Sequence, residues 1–179
     1  YARRNGLQDW IDRCAGTRAT RSTRAAVVLE AAGVGTPAPV GYLDRWDGGR
    51  LVESYLLTRY VEAPSFKDEL IRLYRHDPQC EKIMTLMQRV AGAVRAMHAA
   101  GVFHRDLGNQ NILVIPDGGD DWRDVCFIDL NRSCLCRKLT PRRRGREISR
   151  LSLPPDLLRV FVFMYFQGNP PAGFAAWES

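Results

Sequence analysis

Apolar and polar positions alternate along this chain at two periods, and the switches between them mark out the elements. Residues 23–32 read as a helix: Ser22 or Thr23 can cap it, Ala25 to Leu29 fill it, and Gly33 can end it. Thr36-Pro37-Ala38-Pro39 then forces an extended path. Two strand-like runs follow, Val40 to Trp46 and Leu51 to Tyr60, with the hairpin signal Asp47-Gly48-Gly49 between them. After the break at Ala63-Pro64, Ser65 with Asp68 resembles a capping box that opens a short helix. A long amphipathic helix is predicted over Glu81 to Ala100. Its apolar positions Ile83, Met87, Val90, Val94 and Met97 step by three or four, and Gly101 closes it. Two short strands, 111–115 and 124–128, flank a turn at 116–120. A last helix is expected over about 155–167, with Pro155 in its first turn and Gly168 as its stop. Helix, hairpin, helices, small hairpin, helix is an α+β order with segregated parts.

Composition narrows the class. With 45% apolar and 26% charged residues over 179 positions, the chain can bury a core, and disorder is excluded. No apolar run approaches the roughly 20 residues of a membrane span, and the opening Tyr1-Ala2-Arg3-Arg4 is not a signal peptide. The chain lacks an initiator Met, so further sequence is expected upstream. Cys14, Cys80, Cys126, Cys134 and Cys136 are irregularly spaced, and a single C-x-C pair makes a poor zinc site. Free thiols in a reducing cytosol are the better reading.

The net charge of +6 is clustered. Seven basic residues fall between Arg137 and Arg150 against one acid, Glu147. Arg3, Arg4, Arg13, Arg18, Arg21 and Arg24 form a second group near the start. Such patches attract polyanions or anionic membrane surfaces, although a solvated face has the same composition. Nucleic acid is not the expected partner, because the aromatic residues do not interleave with the basic runs as a stacking platform requires.

The segment His104-Arg105-Asp106-Leu107-Gly108-Asn109-Gln110-Asn111 matches the kinase catalytic-loop pattern H-R-D-L-x-x-x-N at every fixed position. Asp106 would take the proton of an acceptor hydroxyl as it attacks phosphorus. Asn111, five residues on, would return to the same cleft and offer its amide oxygen to magnesium. The second magnesium ligand should be a carboxylate at a strand end shortly afterwards, and Asp129, 23 residues beyond Asp106, is so placed. Asp129-Leu130-Asn131 stands where protein kinases have Asp-Phe-Gly, so a loop that inverts through its glycine is not expected. His104 is read as a packed structural histidine, not a base. Glu30, late in the first helix, is the expected partner of a phosphate-binding lysine. Arg59 and Val61, on the segment ending the second strand, would offer backbone groups to an adenine edge. No G-x-G-x-x-G loop is present. Of three lysines, Lys67, Lys82 and Lys138, none precedes the Glu30 helix, so the first strands and that lysine are expected upstream of Tyr1.

These motifs, together with Glu30-Ala31-Ala32-Gly33-Val34-Gly35-Thr36-Pro37, Ser54 to Thr58, Ile128 to Arg132, the Arg-rich segment and Asp156-Leu157-Leu158-Arg159, resemble the bacterial lipopolysaccharide core kinases of the Kdo and heptose kinase family. The resemblance implies a protein-kinase-like two-lobed fold, with an N-lobe in residues 1–62 truncated at its start and a mainly helical C-lobe in 63–179. It implies an ATP- and Mg²⁺-dependent cytoplasmic enzyme at the inner-membrane face. That enzyme would phosphorylate a sugar hydroxyl of an anionic glycolipid, the lipopolysaccharide core. Asp106, Asn111, Asp129 and Glu30 carry over by position. Arg137, Arg142, Arg143 and Arg144 would border the acceptor, since arginine forks bind carboxylate and phosphate bidentately. Two alternatives stay open: another kinase-fold enzyme acting on a small molecule or a protein, or a pseudokinase that scaffolds.

Overall fold

The computed structural model describes residues 16–77, 79–119 and 121–171. Arg3, Arg4, Arg13, Cys14 and Asp120 therefore lie outside the described residues.

The first helix, α1 (Arg18–Ala31), starts five residues earlier than the apolar run suggests, because the side chain of Thr17 accepts from the Thr20 amide and caps it. Polar residues at its start hide this from a hydrophobic pattern. Ala25, Ala26 and Leu29 are buried, and Gly33 takes the chain out of the helix at φ +67°. Gly35 then passes so close to the next hairpin that a Cβ would sit 2.2 Å from the Val125 carbonyl oxygen. The Phe127 amide donates to the Gly35 carbonyl at 2.9 Å, and the Thr36 hydroxyl donates to the Phe127 carbonyl at 3.0 Å. The segment after α1 is thereby stitched to the metal-side strand.

Strands β1 (Pro39–Asp47) and β2 (Arg50–Thr58) form an antiparallel hairpin. Gly48 and Gly49, at φ +50° and +79°, make the turn with both central residues left-handed that the two-residue loop demands. The cap at Ser65 forms as expected: its hydroxyl accepts from the Asp68 amide at 3.1 Å and opens α2 (Phe66–His76). The long helix α3 (Glu81–Ala99) runs through the centre. Leu86, Met87, Val90, Ala91, Val94 and Met97 are wholly buried on it.

Beyond Gly101 come β3 (Val102–Phe103), β4 (Ile112–Pro116), β5 (Trp122–Phe127) and β6 (Cys134–Leu135). β4 pairs with β5 and β3 with β6, both antiparallel. The Arg-rich segment, unassigned by its pattern, folds as α4 (Pro141–Ile148), capped by Thr140. The last helix, α5 (Pro155–Tyr165), packs Phe161, Val162 and Tyr165 inward against α3. Among the described residues, no helix is long and apolar enough to cross a membrane.

Candidate functional site

A cleft of about 670 Å³ opens between α1, β2 and the end of β5. Ser22 and Ala26 face it from α1, Val52 and Ser54 from β2, and Asp129 and Asn131 from beyond β5. Arg59 and Val61, the expected hinge residues, are among its lining residues.

The segment 104–111 is tied to Ile128 by one backbone and one side-chain hydrogen bond. The Ile128 amide donates to the Asn111 carbonyl at 3.0 Å, and His104 Nε2–H donates to the Ile128 carbonyl at 2.9 Å. His104 is fully buried, so its role is to fasten the loop, as expected. Asn111 Nδ2 donates to the Asp106 carbonyl at 2.9 Å. That bond engages the amide nitrogen of Asn111 and leaves its side-chain oxygen out of it. Asp129 adopts the left-handed conformation, φ 58° and ψ 49°, and the Asn131 amide donates to one of its carboxylate oxygens. Its second oxygen stays open. An amide oxygen and a carboxylate oxygen are hard donors that suit Mg²⁺, which completes its shell with phosphates and waters and needs no larger protein cluster.

The Asp106 carboxylate is half-exposed and meets the Arg132 guanidinium at 3.2 Å. An ion pair this open contributes little to stability, so its main effect is to hold the Asp106 carboxylate in one orientation. Arg132 was not singled out in the sequence, although an arginine three residues past the metal carboxylate is the available signal. Asp106 and Asn111 are not among the residues lining the cleft; the backbone pairing of Asn111 with Ile128 joins their loop to a residue that does line it.

Glu30, the expected partner of a phosphate-binding lysine, lies near the C-terminal end of α1. It is exposed in the last turn of α1 and is not among the residues lining the cleft. The helix faces the cleft one level lower, at Ser22 and Ala26. Glu30 stands eight residues beyond Ser22, about 12 Å along the axis at 1.5 Å per residue. The helix is longer at its start than its apolar pattern shows, and the cleft follows that hidden first half.

Behind the loop lies a buried polar cluster. Arg105 is left-handed at φ +67°, unusual for a residue with a side chain. Its amide donates to one oxygen of Glu147, and its carbonyl accepts from the Arg150 guanidinium. The other Glu147 oxygen accepts from His98 Nε2 at 2.9 Å, while His98 Nδ1 meets the Tyr165 hydroxyl at 2.7 Å. His98, Glu147 and Tyr165 are at most 1% exposed. Burial pushes the Tyr165 phenol up to about 12, so it stays protonated and available to hydrogen-bond. Glu147 was visible beforehand as the one acid in the basic run, but its partners were not.

The Arg-rich segment sits apart from the cleft. Arg137, Arg142 and Arg143 are exposed; Arg144 is half-buried and its Nε donates to the Leu139 carbonyl at 3.2 Å. The Cys134 and Cys136 sulfurs are 3.7 Å apart as thiols, with Arg143 Nη1 3.9 Å from Cys136 Sγ. Burial pushes the Cys134 thiol up to about 11. Among the described residues, no group of three or more His, Cys, Asp or Glu gathers as a metal cluster.

The chain is 32% identical over 114 residues to a putative cyclin-dependent kinase F-2 of Oryza sativa subsp. japonica, a match covering 63% of this chain and 32% of that protein. It is 38% identical over 69 residues to the serine/threonine-protein kinase AfsK of Streptomyces coelicolor, covering 38% of this chain and 8% of that protein. The chain thus spans a third or less of these curated relatives. Its structure resembles that of WaaP in complex with acyl carrier protein, with a TM-score of 0.73 at 26% identity, over 89% of this chain and 73% of that one. The protein-kinase-like fold is therefore established. The model of the lipopolysaccharide kinase (Kdo/WaaP) family matches residues 7–153, and the chain belongs to that family.

Proposed function

We propose that this chain carries the catalytic site of a phosphotransferase that moves the γ-phosphate of ATP to a sugar hydroxyl of the lipopolysaccharide inner core, on Kdo or heptose. One observation carries the reading. The His104–Asn111 loop, with its full set of kinase residues, is pinned by two backbone-directed hydrogen bonds to the residue preceding Asp129. Asp106 accepts the acceptor's proton, and Arg132 holds it in position. Asn111 and Asp129 would hold Mg²⁺, which when bound neutralises the phosphates and aligns them for transfer. The Arg59–Val61 backbone takes the adenine edge. We assign residues 1–62 and 63–179 to the two lobes.

Arg137, Arg142, Arg143 and Arg144 are assigned to the acceptor's anionic groups or to an anionic membrane face. Three consecutive arginines open α4 with no acid in its first turn. Cations there oppose the helix dipole, and a bound anion relieves them. A peripheral position on the cytoplasmic side of the inner membrane follows from this reading. A protein acceptor is the second reading, favoured by the named protein kinases among the relatives.

The test is transfer of labelled γ-phosphate from ATP·Mg²⁺ to dephosphorylated lipopolysaccharide core. Label in the glycolipid that disappears with Asp106→Ala supports the reading. Label in protein substrates alone moves the assignment to the second reading. Failure to bind nucleotide refutes both.

A further inference from the structure

A second concavity, of about 400 Å³, lies on the flank of the catalytic loop and shares no lining residue with the cleft. One wall is the outer face of α2, where Lys67, Ile71, Tyr74 and Arg75 fall on one stripe at i, i+4, i+7 and i+8. The opposite wall runs from Ser152 to Leu157 at the start of α5, and Asn109 of the catalytic loop opens into the floor. Asn109 is three residues beyond Asp106.

We propose that this groove is the subsite that holds the body of the acceptor, and that its occupant is an anionic oligosaccharide. The proposal rests on the phosphotransfer reading for its chemistry but stands on separate residues. A hydroxyl presented to Asp106 brings the rest of its molecule alongside the catalytic loop, and the groove is the concave surface there. Lys67 and Arg75 are exposed and have no ion pair among the described residues, so the stripe ends in a free cation at each side. Tyr74 is 65% exposed and Ile71 45%, an adjacent apolar pair that the core does not use. A pyranose ring offers apolar C–H faces to a flat aromatic side chain, and its acidic substituents offer carboxylate or phosphate to lysine and arginine.

The test is calorimetric binding, without nucleotide, of deacylated lipopolysaccharide core oligosaccharide. A neutral oligosaccharide of similar size and a fatty-acyl detergent serve as comparisons. The unsubstituted protein is expected to bind the anionic oligosaccharide at least tenfold more tightly than the neutral one. Lys67→Ala with Arg75→Ala should weaken it by about tenfold or more, and Tyr74→Ala should weaken both sugars. The thermal midpoint should not move. If the double variant folds poorly, Lys67→Met with Arg75→Met keeps the stems and removes only charge. Unchanged affinity in the double variant overturns the proposal, as does preference for the detergent or no oligosaccharide binding. Failure of phosphate transfer with groove binding intact would instead sink the phosphotransfer reading alone.

Discussion

Asp106 and Asp129, the proposed base and the proposed magnesium ligand, sit in different surroundings. Asp106 is half-exposed and its carboxylate pairs with Arg132. Asp129 is bent into a left-handed turn with one oxygen engaged and one open. Asp106→Ala should lower transfer by roughly a thousandfold while nucleotide binding persists, as removal of a positioned base does. Asp129→Ala should weaken magnesium-dependent nucleotide binding by about tenfold or more, measured by titration with and without Mg²⁺. Equal activity in the Asp106 variant would remove it from the mechanism. Arg132→Ala should leave the unfolding midpoint nearly unchanged, because exposed pairs are worth under about 1 kcal/mol. It should cut kcat by roughly ten- to a hundredfold through loss of orientation. A large stability change with normal kcat would contradict the positioning role.

At the scale of elements, α2 is fastened to β5 by one acid. Glu69 accepts from Arg72 Nη2 at 2.7 Å and from the Trp122 indole at 3.0 Å, and it is largely buried. The Arg72 guanidinium holds the Glu69 carboxyl below its ordinary range, with the Trp122 indole adding to this. The folded value is depressed, so the stabilisation is present above the ordinary carboxylate pKa and is lost as pH falls through the folded one. Glu69→Ala should cost about 1–3 kcal/mol, since it leaves the indole without its acceptor. Its acid limb of stability, followed by urea unfolding against pH, should be shallower than that of the unsubstituted protein.

Elements defined by local chemistry were legible from the chain alone. The cap at Ser65, the Gly48-Gly49 turn and the apolar stripe of α3 each depend on residues within a few positions of one another. The start of α1 was not legible, because Thr17 to Thr23 is polar and its cap leaves no hydrophobic trace. Nor was α4, whose helix is bounded by Thr140 and Pro141 but carries almost no apolar residues. The strands β3 and β6 are two residues each and exist only through long-range pairing. Asp106, Asn111 and Asp129 were picked out by motif spacing, and the roles proposed for them rest on that spacing and on the contacts of their loop with Ile128.

The whole molecule is tied together at Glu147. This one side chain joins α4 to α3 through His98, which meets Tyr165 of α5, and to the catalytic loop through the Arg105 amide. Glu147→Ala should destabilise the fold by about 3–5 kcal/mol, as removal of one partner from a buried pair does. Chemical denaturation would show it, and a loss under 1 kcal/mol would refute the linkage. At the alkaline end, burial pushes the Cys126 thiol and the Tyr165 phenol each up to about 12, from 9.0 and 10.0. Both folded values are raised, so their contribution is intact below the ordinary pKa and is lost as pH climbs towards about 12. Thermal midpoints should fall above pH 9, and Cys126→Ser should shift that limb.

The left-handed turn at Asp129 has a pharmacological corollary. Leu130, next to it, is buried in the core, and Asn131, not glycine, completes the turn. Inverting the segment would pull a leucine into water, at about 1.5–3 kcal/mol. Compounds that gain residence time by trapping a turned-out aspartate should therefore find no foothold. Occupants of the cleft should instead equilibrate quickly, and progress curves should run straight from the first seconds after mixing.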